Sequence, residues 1–311
     1  MNAIRKITSS AIILAACFGG NILAFPTARP GGGSLSDHFV TVDSVKVHYV
    51  ESGSGPTVVL IHGNAGGVED FEFGAIDSLA RKYRVVAIDR SGHGASDRAA
   101  GNSPQVEYQA ILLHQTLLAL GIKKPILVGH SWGGSLVLSY AMKYPDEVAA
   151  MVLLAPAAYP EKGGSFLLSA AAKIPGVVEL GGLLEKSIIS PGLLKRDLRR
   201  AFYPQPVPDR YFKLVTASWL GRKQLKAFFE DESDLNDCLK KMCAQYSTIK
   251  IPTIIVTGDK DMIVSPKDNA YRLQKAIARS RLITLKNSGH EIPQTHPKII
   301  YAALRLIYGK L

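Results

Sequence analysis

Thr57-Val58-Val59-Leu60-Ile61 puts apolar side chains on both faces of an extended chain, and comparable runs return at 83–88, 125–128, 148–154, 251–257 and 281–285. A strand that is apolar on both sides has to be covered on both sides, as in a parallel sheet. Amphipathic stretches that read as helices separate these runs, at about 71–82, 104–120, 134–144, 266–278 and 295–308. Strand alternating with helix predicts a mostly parallel sheet flanked by helices on both faces. Ahead of the first run, Phe39-Val40-Thr41-Val42 and Val45-Lys46-Val47-His48-Tyr49-Val50 alternate about the polar pair Asp43-Ser44, which predicts an antiparallel hairpin. The fold class is therefore α/β, with an eight-stranded sheet.

The alternation lapses between 157 and 248, where Gly-Gly pairs, Pro191, Pro204, Pro206 and Pro208 punctuate apolar helical fragments. We read this stretch as a helical cap inserted into a core made of 39–156 and 249–311. Ligands of open α/β sheets gather outside the carboxyl ends of the strands, so an insertion following a strand is expected to cover the site. Phe166-Leu167-Leu168, Leu183-Leu184, Ile188-Ile189 and Phe228-Phe229 either line a hydrophobic substrate pocket or pack the cap onto the sheet.

Residues 1–25 are expected to direct export or anchor the chain. Arg5 and Lys6 precede an apolar stretch over 7–16 that is short for a membrane span and suits a signal segment. Leu14-Ala15-Ala16-Cys17 matches a bacterial lipobox, in which Cys17 is lipidated; cleavage near Ala24 and an uncleaved anchor over 7–25 are the competing readings. The expected location is the periplasm or membrane of a bacterium, with residues 26–38, rich in Gly and Pro, as a linker. A bridge between Cys238 and Cys243 requires a helix to break between them, and two small buried thiols fit the spacing better. Lys and Arg number 37 against 26 Asp and Glu, a formal charge of +11. These positive residues are scattered and carry no nucleic-acid motif, so they read as a solvated basic surface with no nucleic-acid partner.

The chemistry centres on Gly129-His130-Ser131-Trp132-Gly133, placed between the strand Ile126-Leu127-Val128 and a helix. G-x-S-x-G in a strand–turn–helix context marks a nucleophile elbow, which exposes the serine Oγ while the glycines admit close backbone approach. A serine hydroxyl needs a base to take its proton. His290, in Asn287-Ser288-Gly289-His290 past the last strand, is the expected base, ahead of His62, His130 and His296. The imidazole in turn needs a carboxylate. Gly258-Asp259-Lys260-Asp261 follows a strand and offers Asp261, with Asp259 as the alternative. Oxyanion donors are expected from the backbone N–H groups of Trp132 and of Asn64, the latter in His62-Gly63-Asn64-Ala65-Gly66-Gly67. That glycine-rich loop contains neither G-x-x-x-x-G-K-S/T nor G-x-G-x-x-G, which excludes the usual phosphate loops.

Together with Asp89-Arg90-Ser91-Gly92-His93-Gly94-Ala95-Ser96, these motifs resemble the α/β-hydrolase fold family over about residues 39–309 apart from the cap. The order Ser131, Asp261, His290 is that family's order. Many relatives carry Pro where this chain has Ser91, a difference that touches loop rigidity and not the chemistry. The resemblance implies a serine hydrolase acting on a small-molecule carboxylic ester or lactone through an acyl-enzyme, with no cofactor and no metal. Alternatives are a carbon–carbon bond hydrolase or a cofactor-free haloperoxidase-like enzyme using the same triad, and a non-catalytic member binding an apolar ligand. Ser131 argues against the relatives that use an Asp nucleophile.

Overall fold

Period-two alternation within each strand divides the core between the two faces of the sheet. Val59, Ile61, Val86, Ile88, Leu127, Met151 and Leu153 belong to one buried cluster. Their sequence neighbours Val58, Leu60, Val85, Ala87, Ile126, Val128, Ala150, Val152 and Leu154 belong to the other. Each Val, Leu, Ile or Met among them contributes about 1.5–3 kcal/mol on leaving water, which is why these runs fold as interior strands. The structure, a computed structural model, describes residues 35–64, 66–101, 104–161, 191–219 and 222–309. The segment 1–25 expected to direct export, Cys17 within it, the expected linker up to residue 34 and the apolar residues expected at 166–168, 183–184 and 188–189 lie outside the described residues. Among the described residues no helix is long and apolar enough to cross a membrane.

Eight strands form one sheet: β1 (Asp37–Val42), β2 (Val45–Ser52), β3 (Thr57–Ile61), β4 (Arg84–Ile88), β5 (Ile126–His130), β6 (Ala150–Leu154), β7 (Thr253–Gly258) and β8 (Ser280–Leu285). Their spatial order is β1-β2-β4-β3-β5-β6-β7-β8. β2 runs antiparallel to both β1 and β4, and the remaining pairs are parallel. From β3 the chain steps outward to β4 and then returns across β3 to β5, so the winding direction reverses beside β3. That reversal opens a crevice at the carboxyl ends of β3 and β5. Ile61 pairs with Gly129, and His130 with Leu154, so the loops after β3, β5 and β6 leave from one rim.

The flanking helices are α1 (Ala75–Leu79), α2 (Val106–Ala119), α3 (Trp132–Lys143), α4 (Pro191–Phe202), α5 (Asp209–Trp219), α6 (Arg222–Met242), α7 (Ala270–Ala276), α8 (Ile292–Thr295) and α9 (Ile299–Tyr308). Helices α4 to α6 lie in the insertion between β6 and β7; α4 and α5 share a small core of Leu194, Leu198, Ala201, Phe202, Tyr211 and Val215, whereas Leu235, Leu239 and Met242 of α6 join the core on one face of the sheet. The closing helix expected from residue 295 is instead two helices. Pro297 disfavours helical geometry at the preceding residue, and His296 duly adopts φ −132° and ψ 56°. Cys238 and Cys243 are free and half-buried.

The turn from β5 into α3 is tight. A methyl on Gly133 would sit 2.5 Å from the carbonyl oxygens of both Ile61 and His62, at the end of β3. Gly133→Ala is therefore expected to destabilise the fold by about 1–3 kcal/mol, or more if β3 cannot move. Urea denaturation measures this, and an unchanged midpoint would contradict the close approach.

Candidate active site

Ser131 occupies the junction between β5 and α3 with φ 51° and ψ −117°, a left-handed conformation that costs a non-glycine residue about 1–3 kcal/mol. Main-chain bonds hold it there. Its N–H donates to Leu154 O at 2.9 Å, and its own carbonyl accepts from Gly134 N at 2.9 Å and Ala157 N at 3.1 Å. The residue is half-buried, so its side chain is within reach of the crevice. Trp132 begins α3, and an N–H in a first helical turn has no carbonyl four residues behind it to bond.

Asp261 and His290 arrive from separate loops. A methyl on Gly258 would collide with the carbonyls of Ser288 and Gly289, so only glycine lets the loop after β8 lie across the end of β7. His290 Nδ1 stands 2.8 Å from Asp261 Oδ2, with both side chains almost wholly buried. The other Asp261 oxygen accepts from Ile263 N and Val264 N at 2.8 and 2.9 Å, which fixes the carboxylate. Asp259 instead accepts from Ser288 N at 3.3 Å and steadies the loop. Burial favours the neutral imidazole of His290, but the Asp261 carboxylate outweighs it and raises the pKa above the ordinary 6.5.

The neighbour of Ser131 connects the two halves of the site. The His130 ring lies 4.9 Å from that of His290, and its Nε2 stands 3.0 Å from His290 O. Burial first, and then the His290 charge, bring the His130 pKa down to about 3, so the ring is neutral and donates from Nε2. The insertion also holds this loop, since Ala201 O in α4 accepts from His290 N at 2.8 Å. His296 turns away to Thr295 Oγ1, at 3.0 Å.

The chain that carries this turn on β5 and this carboxylate–histidine pair has clear counterparts in sequence and fold among known proteins. The family model for the alpha/beta hydrolase fold matches residues 56–297. The chain belongs to the alpha/beta hydrolase family. Lipase 1 of Psychrobacter immobilis is 30% identical to it over 257 residues, covering 79% of this chain and 75% of the relative. A 2-hydroxy-6-oxononadienedioate/2-hydroxy-6-oxononatrienedioate hydrolase of Escherichia coli (strain K12) is 28% identical over 273 residues, covering 84% and 92%. Among solved structures, an epoxide hydrolase superposes with a TM-score of 0.75 at 20% identity, over 88% of this chain and 98% of that one, a likeness of fold.

In this alpha/beta hydrolase the loop after β4 carries a buried polar network that the sequence reading treated only as a family motif. Arg90 Nη1 donates to Asp231 Oδ2 at 2.6 Å and to Gln109 Oε1 at 3.0 Å. Its Nη2 donates to Gly63 O at 3.1 Å, and the guanidinium lies 4.0 Å over the Trp132 ring. Asp231 comes from α6 and is fully buried. It also accepts from His93 Nε2 at 3.0 Å, Arg98 Nη1 at 2.8 Å and Gln109 Nε2 at 3.1 Å. Burial alone would raise the Asp231 pKa, but Arg90, His93 and Arg98 outweigh it and hold the carboxyl below the ordinary range. Burial and then the Arg90 charge bring the His93 pKa down to about 4, so its ring donates while neutral.

Asp231 was absent from the sequence-based site, although a signal for it exists. It lies on the apolar stripe Leu225, Phe228, Leu235, Leu239 and Met242 of α6, and a carboxylate in line with such a stripe requires a buried partner. Asn64, read as a backbone donor, also uses its side chain. Its Nδ2 donates to Phe228 O and Glu232 Oε2, each at 3.1 Å.

Proposed function

We infer that the protein is a serine hydrolase that cleaves a small to medium, partly hydrophobic carboxylic ester or lactone through an acyl-enzyme. The pairing of His290 Nδ1 with Asp261 Oδ2 at 2.8 Å, at the sheet edge where the Ser131 turn emerges, carries this reading. With its Nδ1 proton donated to Asp261, the neutral ring has Nε2 free of a proton and able to take the one on Ser131 Oγ. The oxygen then adds to the carbonyl carbon. The oxyanion is received by the N–H groups of Asn64 and Trp132, each contributing about 3 kcal/mol at the transition state. His290 passes the proton to the departing alcohol, and water activated by the same ring releases the acid.

The surroundings of Asn64 favour an ester over a dianionic carbon–carbon substrate. Glu232 accepts from Asn64, and Glu161 lies near enough to raise the Glu232 pKa, after burial and despite that hydrogen bond, as well as the His290 pKa. Burial already makes the Glu232 carboxyl reluctant to ionise, and a further carboxylate brought beside it would add to that cost, which disfavours a dioate such as the one named for the Escherichia coli relative.

A fluorophosphonate probe with mass-spectrometric mapping tests the reading, together with a substrate panel. Labelling is expected at Ser131, with turnover of neutral p-nitrophenyl esters and none of a dianionic ring-cleavage product. A protein that resists the probe is not a serine hydrolase, and preferential turnover of the diacid would reverse the choice of bond.

A further inference from the structure

The expected oxyanion donors sit on different loops, and one side chain touches both residues. The Gly63–Asn64 peptide is held through its carbonyl oxygen, which receives His62 Nδ1 at 2.7 Å and Arg90 Nη2 at 3.1 Å. The His62 ring can donate from Nδ1 because its Nε2 accepts from Arg90 N at 2.9 Å, and burial, then Arg90, keep its pKa well below 6.5. In a trans peptide the C=O and N–H point in opposite directions. Two donors fixing the Gly63 oxygen thus aim the Asn64 N–H the other way. The serine lies close by, since a methyl on Gly63 would come within 3.2 Å of Ser131 Cβ. The second donor residue, Trp132, is the ring on which the same guanidinium stacks.

Arg90 is itself held from outside the sheet. Asp231 binds its Nη1, and Asp231 O accepts from Trp132 Nε1 at 3.4 Å. One turn earlier on α6, Phe228 O accepts from the Asn64 side chain. A short stretch of one insertion helix therefore braces both donor residues, directly and through Arg90.

We propose that Asp231 is a positioning residue of the oxyanion site, acting through Arg90 to fix the Gly63–Asn64 peptide and Trp132 so that their N–H groups converge beside Ser131. It makes no contact with the reacting atoms. Its role is to render the site's donors dependent on the insertion being seated on the core. The proposal rests on the serine-hydrolase reading above.

The test uses Asp231→Asn, which keeps an acceptor for His93 and Gln109, and Arg90→Met/Asp231→Leu, which removes both members of the buried ion pair and leaves Arg98 its other partner, Glu230, at 3.0 Å. For each protein, reactive serine is titrated with a fluorophosphonate, and kcat and KM for p-nitrophenyl butyrate are expressed per titrated site. The Ki of a trifluoromethyl ketone bearing the same acyl chain is measured in parallel, since its adduct at Ser131 carries an oxyanion. The expected result is a fall in kcat per site of at least about tenfold with KM within about twofold. The ketone Ki should rise by the same factor as kcat/KM falls. Unchanged kcat per titrated site, or a loss confined to KM or to the titratable fraction, would overturn the proposal and leave Asp231 a purely structural anchor. If the wild-type protein is not labelled at Ser131, the serine-hydrolase reading falls and takes this role with it. A labelled wild type with unaffected variants overturns the positioning role alone.

Discussion

Ser131→Ala is expected to lower kcat for a short-chain p-nitrophenyl ester by about a millionfold while leaving the fold intact. The size follows from the loss of the group proposed to form the acyl-enzyme; donors that remain in place stabilise direct water attack far less effectively. The fold should survive because the bonds that hold this residue, to Leu154, Gly134 and Ala157, are made by the main chain and are untouched by the substitution. Alanine also retains the left-handed φ of 51° at its existing cost. Stopped-flow or long-time assays measure the residual rate, and circular dichroism with a melting curve checks the fold. A folded Ser131→Ala protein within about tenfold of wild-type turnover would falsify the nucleophile assignment.

The next largest effect is expected from Asp261→Asn, about ten-thousandfold in kcat. An asparagine would keep its oxygen on Ile263 N and Val264 N, which the carboxylate binds at 2.8 and 2.9 Å, and so turn its NH2 toward His290 Nδ1. The ring would then accept at Nδ1 and carry its proton on Nε2, the wrong tautomer for a base facing Ser131. The pH profile gives an independent reading. Activity requires the neutral ring, so kcat/KM rises with pH through the His290 pKa. In the wild type, burial lowers that pKa and Asp261 raises it further than burial lowers it, so the inflection lies above 6.5. Removing Asp261 leaves burial opposed only by the weaker Glu291 and Glu161 charges, and the inflection moves toward acid. Rate profiles between about pH 5 and 9 resolve the two limbs. An unmoved inflection would show that the pairing at 2.8 Å has no part in the reaction.

Much of the fold was legible because it is written in local periodicity. Residues such as Val58 and Val59 commit to opposite faces of the sheet whatever surrounds them, and all eight strands were placed from such runs. The break at His296 is equally local, a consequence of Pro297, although the apolar periodicity runs on through it. The residues proposed to react were legible for a related reason: Ser131 lies in a turn whose glycines are dictated by backbone contacts, and His290 follows the last strand. Between Asp259 and Asp261, two residues apart, the sequence favoured Asp261 only through the resemblance of Gly258-x-x-Asp261 and Ile263-Val264 to the family's acid loop. Only the folded loops show that Asp261 meets His290 while Asp259 binds Ser288 N.

The amino-acid order by itself determined the sheet, its flanking helices and the turn that presents Ser131, because each depends on residues within a few positions of one another. The tertiary structure supplied the contact between Asp261 and His290, and it alone decided which residue of the insertion steadies the loops after β3 and β4. Asp231 and Arg90 are 141 positions apart, and their contact exists only once α6 is seated on the core. Electrostatic partners act through space at 3 to 4 Å and carry no periodic signature along the chain, so their pairing emerges only when the chain has folded.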